Sequence, residues 1–192
     1  MQTEKSKARG RPRKFDKHKA LDGAVSLFML KGYSATSLDD LAKAMGINRP
    51  SMYNAFGNKE AIFIQSVEHY FDKISAPLAQ ALEHEQVEDA FKRFFDCLLD
   101  FYCSDNLGCM ATSTMPAESA ENGNVHHFYK GIMSKIDALL KARLDACGED
   151  EQNTLNAQLL QGLMQTLSLR ARAGADRSEL EELYLFGLKK IL

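Results

Sequence analysis

Residues 36 to 60 constrain this chain more than any other stretch. They read Thr-Ser-Leu-Asp-Asp-Leu-Ala-Lys-Ala-Met-Gly-Ile-Asn-Arg-Pro-Ser-Met-Tyr-Asn-Ala-Phe-Gly-Asn-Lys-Glu, which is two short helices joined at a glycine and followed by the start of a third. Ser37 is placed to cap the first helix, with Asp40 three residues on as the acid of a capping box. Leu38, Leu41, Ala42 and Met45 recur on one face of it. Gly46 ends that helix, Ile47 plugs the corner and Asn48 is a good N-cap. Pro50 lies near the first helical position, where its missing N–H costs nothing. A second helix is therefore predicted from Arg49, with Met52 and Phe56, four apart, packing back on the first. Gly57 and Asn58 close it and cap a third helix from Lys59. Such an arrangement reads as a helix-turn-helix.

The second helix keeps its polar residues on the face that Met52 and Phe56 leave free. Arg49, Ser51 and Asn54 lie towards that side, a face suited to a major groove. Tyr53 adds a hydroxyl able to reach a phosphate, and Lys59 stands in the first turn of the next helix beside a cluster of free N–H groups, a ready phosphate site. Charge supports the same partner. Residues 1 to 60 hold 12 Lys and Arg against 6 Asp and Glu, whereas residues 61 to 192 hold 12 against 20, for a net −2. One end of the chain seeks phosphate and the other avoids it. The basic excess is densest in Lys5, Lys7, Arg9, Arg11, Arg13 and Lys14, ahead of any apolar periodicity, and residues 1–14 are expected to be a flexible basic arm. Arg9-Gly10-Arg11-Pro12-Arg13 resembles the Gly-Arg-Pro core of AT-hook peptides, whose arginines enter a narrow A·T minor groove. An arm that touches phosphates only is the other reading.

Residues about 15 to 62 resemble the DNA-binding domain of the TetR family of bacterial transcriptional regulators. The resemblance rests on Phe28, Gly32-Tyr33, Thr36-Ser37, Leu41-Ala42, Met45-Gly46, Tyr53-Asn54-Ala55-Phe56 and Lys59-Glu60, each at the family's spacing. Ala55 and Asn54 depart from the bulkier residues of many relatives, so no operator sequence carries over. The resemblance implies an all-α fold with an N-terminal three-helix DNA-binding domain over 15–62 and a C-terminal helical ligand-binding and dimerisation domain over 63–192. It implies double-stranded DNA as partner, with Ser37, Arg49, Pro50 and Asn54 reading bases. Arg9, Arg11, Arg13, Tyr53 and Lys59 would supply general affinity, and Asn48 and Ser51 complete the contact set.

The remainder reads as helical. After Lys59 the pattern runs to about Ser75 with a stripe of Ile62, Phe63, Val67, Tyr70, Phe71 and Ile74, and Pro77 is expected to end or bend the helix. In the family this helix is the lever that resets the spacing of the recognition helices. Further helices are predicted over 87–103, 109–119, 125–147, 151–173 and 178–192, with Gly108, Gly123, Gly148 and Gly174 at or near the breaks. A chain of 192 residues with 45% hydrophobic content can bury a sizeable core. No stretch is apolar enough to span a membrane, the basic N-terminus has no apolar run behind it, and four unevenly spaced cysteines form no disulfide frame, so a reducing cytoplasm is the expected location.

The last two predicted helices carry Leu155, Leu159, Leu160, Leu163, Met164 and Leu167 on one and Leu180, Leu183, Tyr184, Leu188 and Ile191 on the other. They are the expected homodimer surface, a four-helix interface, unless these faces are buried within one subunit. Between the ends, Phe91, Phe94, Phe95, Leu98, Phe101, Tyr102, Cys109, Met110, Met115, Phe128, Tyr129, Ile132 and Met133 are available to line an effector pocket or simply to form core. Thr112, Ser113, His126, His127 and Gln165 could orient a ligand. Cys109 opens a predicted helix, which would lower its thiol pKa and suit it to sensing electrophiles; a small buried residue at a close helix approach is the other reading. No catalytic constellation, metal spacing or cofactor motif is found, so no catalytic or metal residue and no cofactor are expected. A ligand-responsive regulator, most simply a repressor, is the expected function. An architectural A·T-rich DNA-binding protein led by its arm is the alternative.

Overall fold

The computed structural model describes residues 15–192, so the arm and the expectations for Arg9, Arg11 and Arg13 lie outside the described residues. Among the described residues every element is an α-helix: α1 (Lys17–Lys31), α2 (Leu38–Ala44), α3 (Arg49–Phe56), α4 (Lys59–Leu82), α5 (Val87–Tyr102), α6 (Met110–Glu121), α7 (Gly123–Asp145), α8 (Asn153–Arg172) and α9 (Arg177–Ile191). The all-α expectation holds.

Local chemistry sets the first three boundaries as the sequence predicts. The Ser37 hydroxyl accepts from the Asp40 amide at 3.1 Å, and the Asp40 carboxylate accepts from the Ser37 amide at 3.2 Å, closing the capping box. Asn48 caps α3 through the Ser51 amide at 2.9 Å, and Asn58 caps α4 through the Ala61 amide at 2.8 Å. The corner between α2 and α3 needs Gly46, whose φ of 66° lies in the left-handed region. Leu41, Met45, Met52 and Phe56 then bury together with Ala20, Ala24 and Phe28 of α1. Gly23 lets α1 and α2 meet: a Cβ there would stand 2.1 Å from the Ala44 carbonyl oxygen.

Helix α4 differs from expectation in one respect. It runs through Pro77 to Leu82 instead of ending near Ser75. Pro77 faces solvent, while Leu78 and Leu82 on the other side are buried. Their burial offsets the hydrogen bond that the proline cannot donate, a loss of about 3 kcal/mol in a helix interior. The helix therefore crosses the expected domain boundary at residue 62 without a break. Phe63, just past that point, meets Phe28 and Tyr33 of the N-terminal unit with ring centroids 5.0 Å away in both cases. Six residues on, His69 Nε2 lies 2.7 Å from the Asp22 carboxylate of α1, and the Lys73 ammonium reaches the same oxygen.

The C-terminal helices close around α4 and α5. Phe91, Phe94, Phe95, Leu98 and Leu99 of α5 are buried, Phe95 stacks on Tyr184 of α9 at 5.3 Å, and the Tyr184 hydroxyl bonds Asp96. The α5–α6 connection is held to α8. The buried Ser168 hydroxyl accepts from the Cys109 amide at 2.8 Å, and Arg172 donates to the Leu107 carbonyl at 3.1 Å. Gly108 is required there, because a Cβ would lie 2.5 Å from the Ser168 carbonyl oxygen. Predicted boundaries in this half agree to within two residues, with Cys109 as N-cap of α6 and Gly123 as the first residue of α7.

Lys73, first, and His69 hold the Asp22 carboxyl below the usual carboxylate range against the opposing pull of burial. A group with a lowered folded pKa contributes stability that is present above the ordinary aspartate range and lost as pH falls through the folded value. Asp22→Asn should therefore be less stable than the parent at pH 7, with the difference shrinking below about pH 4. Urea midpoints from pH 7 to pH 3 test this; a difference independent of pH would contradict it.

Candidate DNA interface and effector cavity

The exposed side of α3 carries Arg49, Pro50, Tyr53 and Asn54, and Ser51 is half-buried beside them. Its other side, Met52 and Phe56, is locked in the core, so the polar face has a fixed direction relative to α1 and α2. Arg49 Nε is paired at 2.6 Å with Asp39 of α2. Both side chains are largely exposed, so the pair is weak and can be exchanged for another acceptor. Ser37 and Asn48 are exposed too, but their side-chain oxygens already serve as caps. Either can approach a ligand only from the cap position.

Lys59 is placed differently from a free phosphate anchor. Its ammonium lies over the Tyr33 ring, 4.4 Å from the centroid, and 3.5 Å from the Ser34 carbonyl. Burial lowers its pKa, opposed by the nearby Glu118. The lysine is thus part of a junction between the N-terminal unit and α6, a role its position at a helix start does not announce. Ser34 donates to the Glu118 carboxylate at 2.7 Å. Glu60, next to Lys59, accepts from the side-chain Nδ2 of Asn122 at 2.6 Å and of Asn124 at 2.8 Å, and these two bonds hold its carboxyl below the usual range. Asn122 acts at both ends, since its oxygen caps α7 through the amides of Asn124 and Val125.

A cavity of about 120 Å³ opens among α4, α5, α6, α7 and α8. Of the residues predicted to line it, Phe94, Leu98, Tyr102, Cys109 and Thr112 do, as do Met133 and Gln165. The others point elsewhere. Phe95 is spent on Tyr184. Phe101 turns into a separate cleft of about 290 Å³ that also contains Asp22, His69 and Lys73. Met110 is buried core, and the Ser113 hydroxyl turns back to the Leu107 carbonyl at 3.4 Å. Phe128 and Ile132 pack half-buried against the core and do not line the cavity, which α7 meets through Met133, Ile136 and Leu139. Sequence reading missed the whole α4 wall, Phe71, Ile74, Ser75 and Leu78, together with Gln161 and Met164 of α8. The signal was present in α4 as an apolar stripe too broad for one packing partner.

Cys109 answers one of the two readings offered for it. It is buried, and burial pushes its thiol up despite the backbone amides of Thr112 and Ala111, which pull it down. The helix N-terminus does not prevail over desolvation here. The phenols of Tyr70 and Tyr102 crowd the same sulfur and are themselves raised, chiefly by burial.

The expected interface on α8 and α9 is divided. Leu160, Met164, Leu167, Leu180, Tyr184 and Leu188 are buried within the chain, because α8 and α9 pack on α5 and α7 with these faces. Outside remain Leu155 at 63% exposure and Leu159 at 58%, joined by Phe186 at 64%, Leu169 and Leu185, which were not foreseen from the sequence. Half-buried Leu163 and Leu183 adjoin them, and Gly187 brings α9 close against Leu163. No helix among the described residues is long and apolar enough to cross a membrane.

Residues 20–65 match the family model for bacterial regulatory proteins of the tetR family. The HTH-type transcriptional repressor ComR of Escherichia coli (strain K12) is 32% identical over 187 residues, which cover 92% of this chain and 89% of ComR. Among solved structures, a CifR cysteine mutant complexed with 26bp double-strand operator DNA aligns with a TM-score of 0.86 at 24% identity, over 93% of this chain and 98% of that one. A TetR transcriptional regulator from Legionella pneumophila aligns with a TM-score of 0.81 at 25% identity, over 95% and 100% of the two chains. With a repressor related along nearly its whole length and the family's helix-turn-helix in place, the chain belongs to the TetR family of bacterial transcriptional regulators.

Proposed function

We propose that this chain is a cytoplasmic transcriptional repressor that binds a palindromic operator as a two-fold dimer and leaves it when a small molecule fills the cavity. The observation that carries the reading is the division of α3 into a buried apolar side and an exposed side of Arg49, Pro50, Tyr53 and Asn54, in a chain related to a repressor over nearly its full length. Arg49, Pro50, Asn54 and Ser37 would discriminate bases, with Asn48 and Ser51 at the start of the same helix. Tyr53 and Lys59 would hold phosphates, together with the basic arm. Lys59 must first leave Tyr33, and Arg49 must leave Asp39, so part of the affinity for DNA is spent on breaking these contacts. No observation favours the architectural alternative.

A single α3 reads few base pairs. Two of them, placed about 34 to 36 Å apart by a dimer, read a palindrome. The exposed leucines of α8 and Phe186 of α9 supply an apolar patch that suits such an interface.

Release follows from the shared walls. The cavity is bounded by α4 and by the first turn of α6, and the far end of α6, with the start of α7, grips Ser34 and Glu60 beside the DNA-binding unit. A ligand that favours a different tilt of α4 and α6 shifts the population away from the DNA-bound form by its difference in affinity for the two forms. The raised thiol of Cys109 favours reversible occupation over attack on an electrophile.

Retention of sheared genomic DNA on the purified protein, followed by sequencing, tests the reading directly. A few palindromic sites are expected; broad retention of A·T-rich fragments would overturn it. On a recovered site Arg49→Ala should cost about 1–3 kcal/mol at one base position, whereas Lys59→Ala should weaken all sites alike. Equal scaling of every site by both variants would remove Arg49 from base readout. Phe186→Glu should convert the dimer to monomer in sedimentation velocity and abolish operator binding, while a stable dimer would place the interface elsewhere.

A further inference from the structure

The cavity is selective in its chemistry. Among the described residues lining it there is no Asp, Glu, Lys, Arg or His. A charged group taken inside would leave water without a counter-ion, which is costly. The size is also informative. At about 120 Å³ it approaches the ~150 Å³ apolar cavity that accepts benzene in an engineered protein, so its size suits a single ring. Met133 and Met164 in the wall allow small adjustments of shape.

Two glutamines of α8 face this space, and they are not equally engaged. Gln161 donates to the Met133 carbonyl at 2.8 Å, a full hydrogen bond. Gln165 donates only to the Met133 sulfur, at 3.4 Å. A thioether is a weak acceptor, so the Gln165 amide gains by exchanging it for an oxygen. Across the space, Thr112 offers a hydroxyl from the first turn of α6. The polar groups of the uncharged wall are thus the amides of Gln161 and Gln165 and the hydroxyls of Ser75, Tyr102 and Thr112, and of the two amides that of Gln165 is the under-used one.

We infer that the effector is a neutral, single-ring molecule carrying one oxygen acceptor, held by Gln165. This rests on reading the cavity as the effector site, and it narrows that reading to a ligand class. The uncharged wall disfavours carboxylates, phosphates and ammonium groups inside it.

Calorimetric titration of the full-length dimer, without DNA, separates this inference from the proposed function. The probes are acetophenone, benzoate and ethylbenzene, which share a ring and differ in charge and acceptor. Acetophenone should bind, benzoate should bind at least about tenfold more weakly, and ethylbenzene should fall between them. Gln165→Leu should bring acetophenone down to the affinity of ethylbenzene, a loss of about tenfold, while leaving ethylbenzene bound. Ethylbenzene binding also reports that the variant's cavity is intact. If the variant binds neither probe, the comparison of acetophenone with benzoate on the parent decides. Benzoate binding as tightly as acetophenone, no acetophenone binding by the parent, or an unchanged ratio of acetophenone to ethylbenzene in Gln165→Leu would each overturn the inference. Acetophenone that binds through Gln165 without altering DNA affinity would uphold the ligand class and overturn release by cavity occupation.

Discussion

Helix α4 carries one continuous hydrophobic core from the DNA-binding unit into the C-terminal helices. Ile62, Phe63 and Val67 complete the packing of α1 and its neighbours, while Ile74, Leu78 and Leu82 are buried among the C-terminal helices, and nothing interrupts the helix between them. Each fully buried apolar side chain of this kind contributes about 1.5–3 kcal/mol, so neither end can detach cheaply. The consequence is mechanical. A change in the direction of α4 at the cavity must appear at its N-terminus, where Asn58 caps it directly after α3. The survival of the helix through Pro77 matters for the same reason, because a break there would leave Leu78 and Leu82 behind.

The polar contacts between the two units are of another kind. Ser34 with Glu118 and Glu60 with Asn124 are short but exposed, Glu60 with Asn122 is partly buried, and such bonds contribute modestly. They are better suited to fixing a tilt than to holding the molecule together. Their exchange with solvent or with a shifted α6 costs little, so the difference between two tilts can fall within the few kcal/mol that a small ligand supplies. The opposite end of α6 is fixed more firmly, through the buried bond from Cys109 to Ser168 and the close approach at Gly108. Motion at the cavity should therefore be taken up at the Glu118 end.

Much of the N-terminal unit was legible in the sequence because its determinants are local. Ser37 with Asp40, Gly46, Asn48 and Asn58 act on residues within a few positions of themselves, and the caps and turn they predict are those observed. The boundaries of later helices were legible for the same reason. What failed depended on rotation of whole helices about their axes. Phe128 and Ile132 share an apolar face with residues that reach the cavity, and only the packing of α7 against α8 decides that Met133 and Ile136 enter it. Leu160 and Leu159 are adjacent in the chain, yet one is buried and the other open. Lys59 was read from its place at a helix start, and the Tyr33 ring that covers it lies 26 residues away in sequence.

The operator affinity of a Thr112→Phe variant tests the coupling of cavity to DNA interface most directly, because the added ring would occupy the cavity from α6 with no ligand present. With a folded dimer verified by circular dichroism and sedimentation, affinity for a recovered operator should fall by about tenfold or more. An unchanged operator affinity in such a dimer would mean that cavity occupation and recognition-helix placement are independent, and the coupling through α4 and α6 would be wrong.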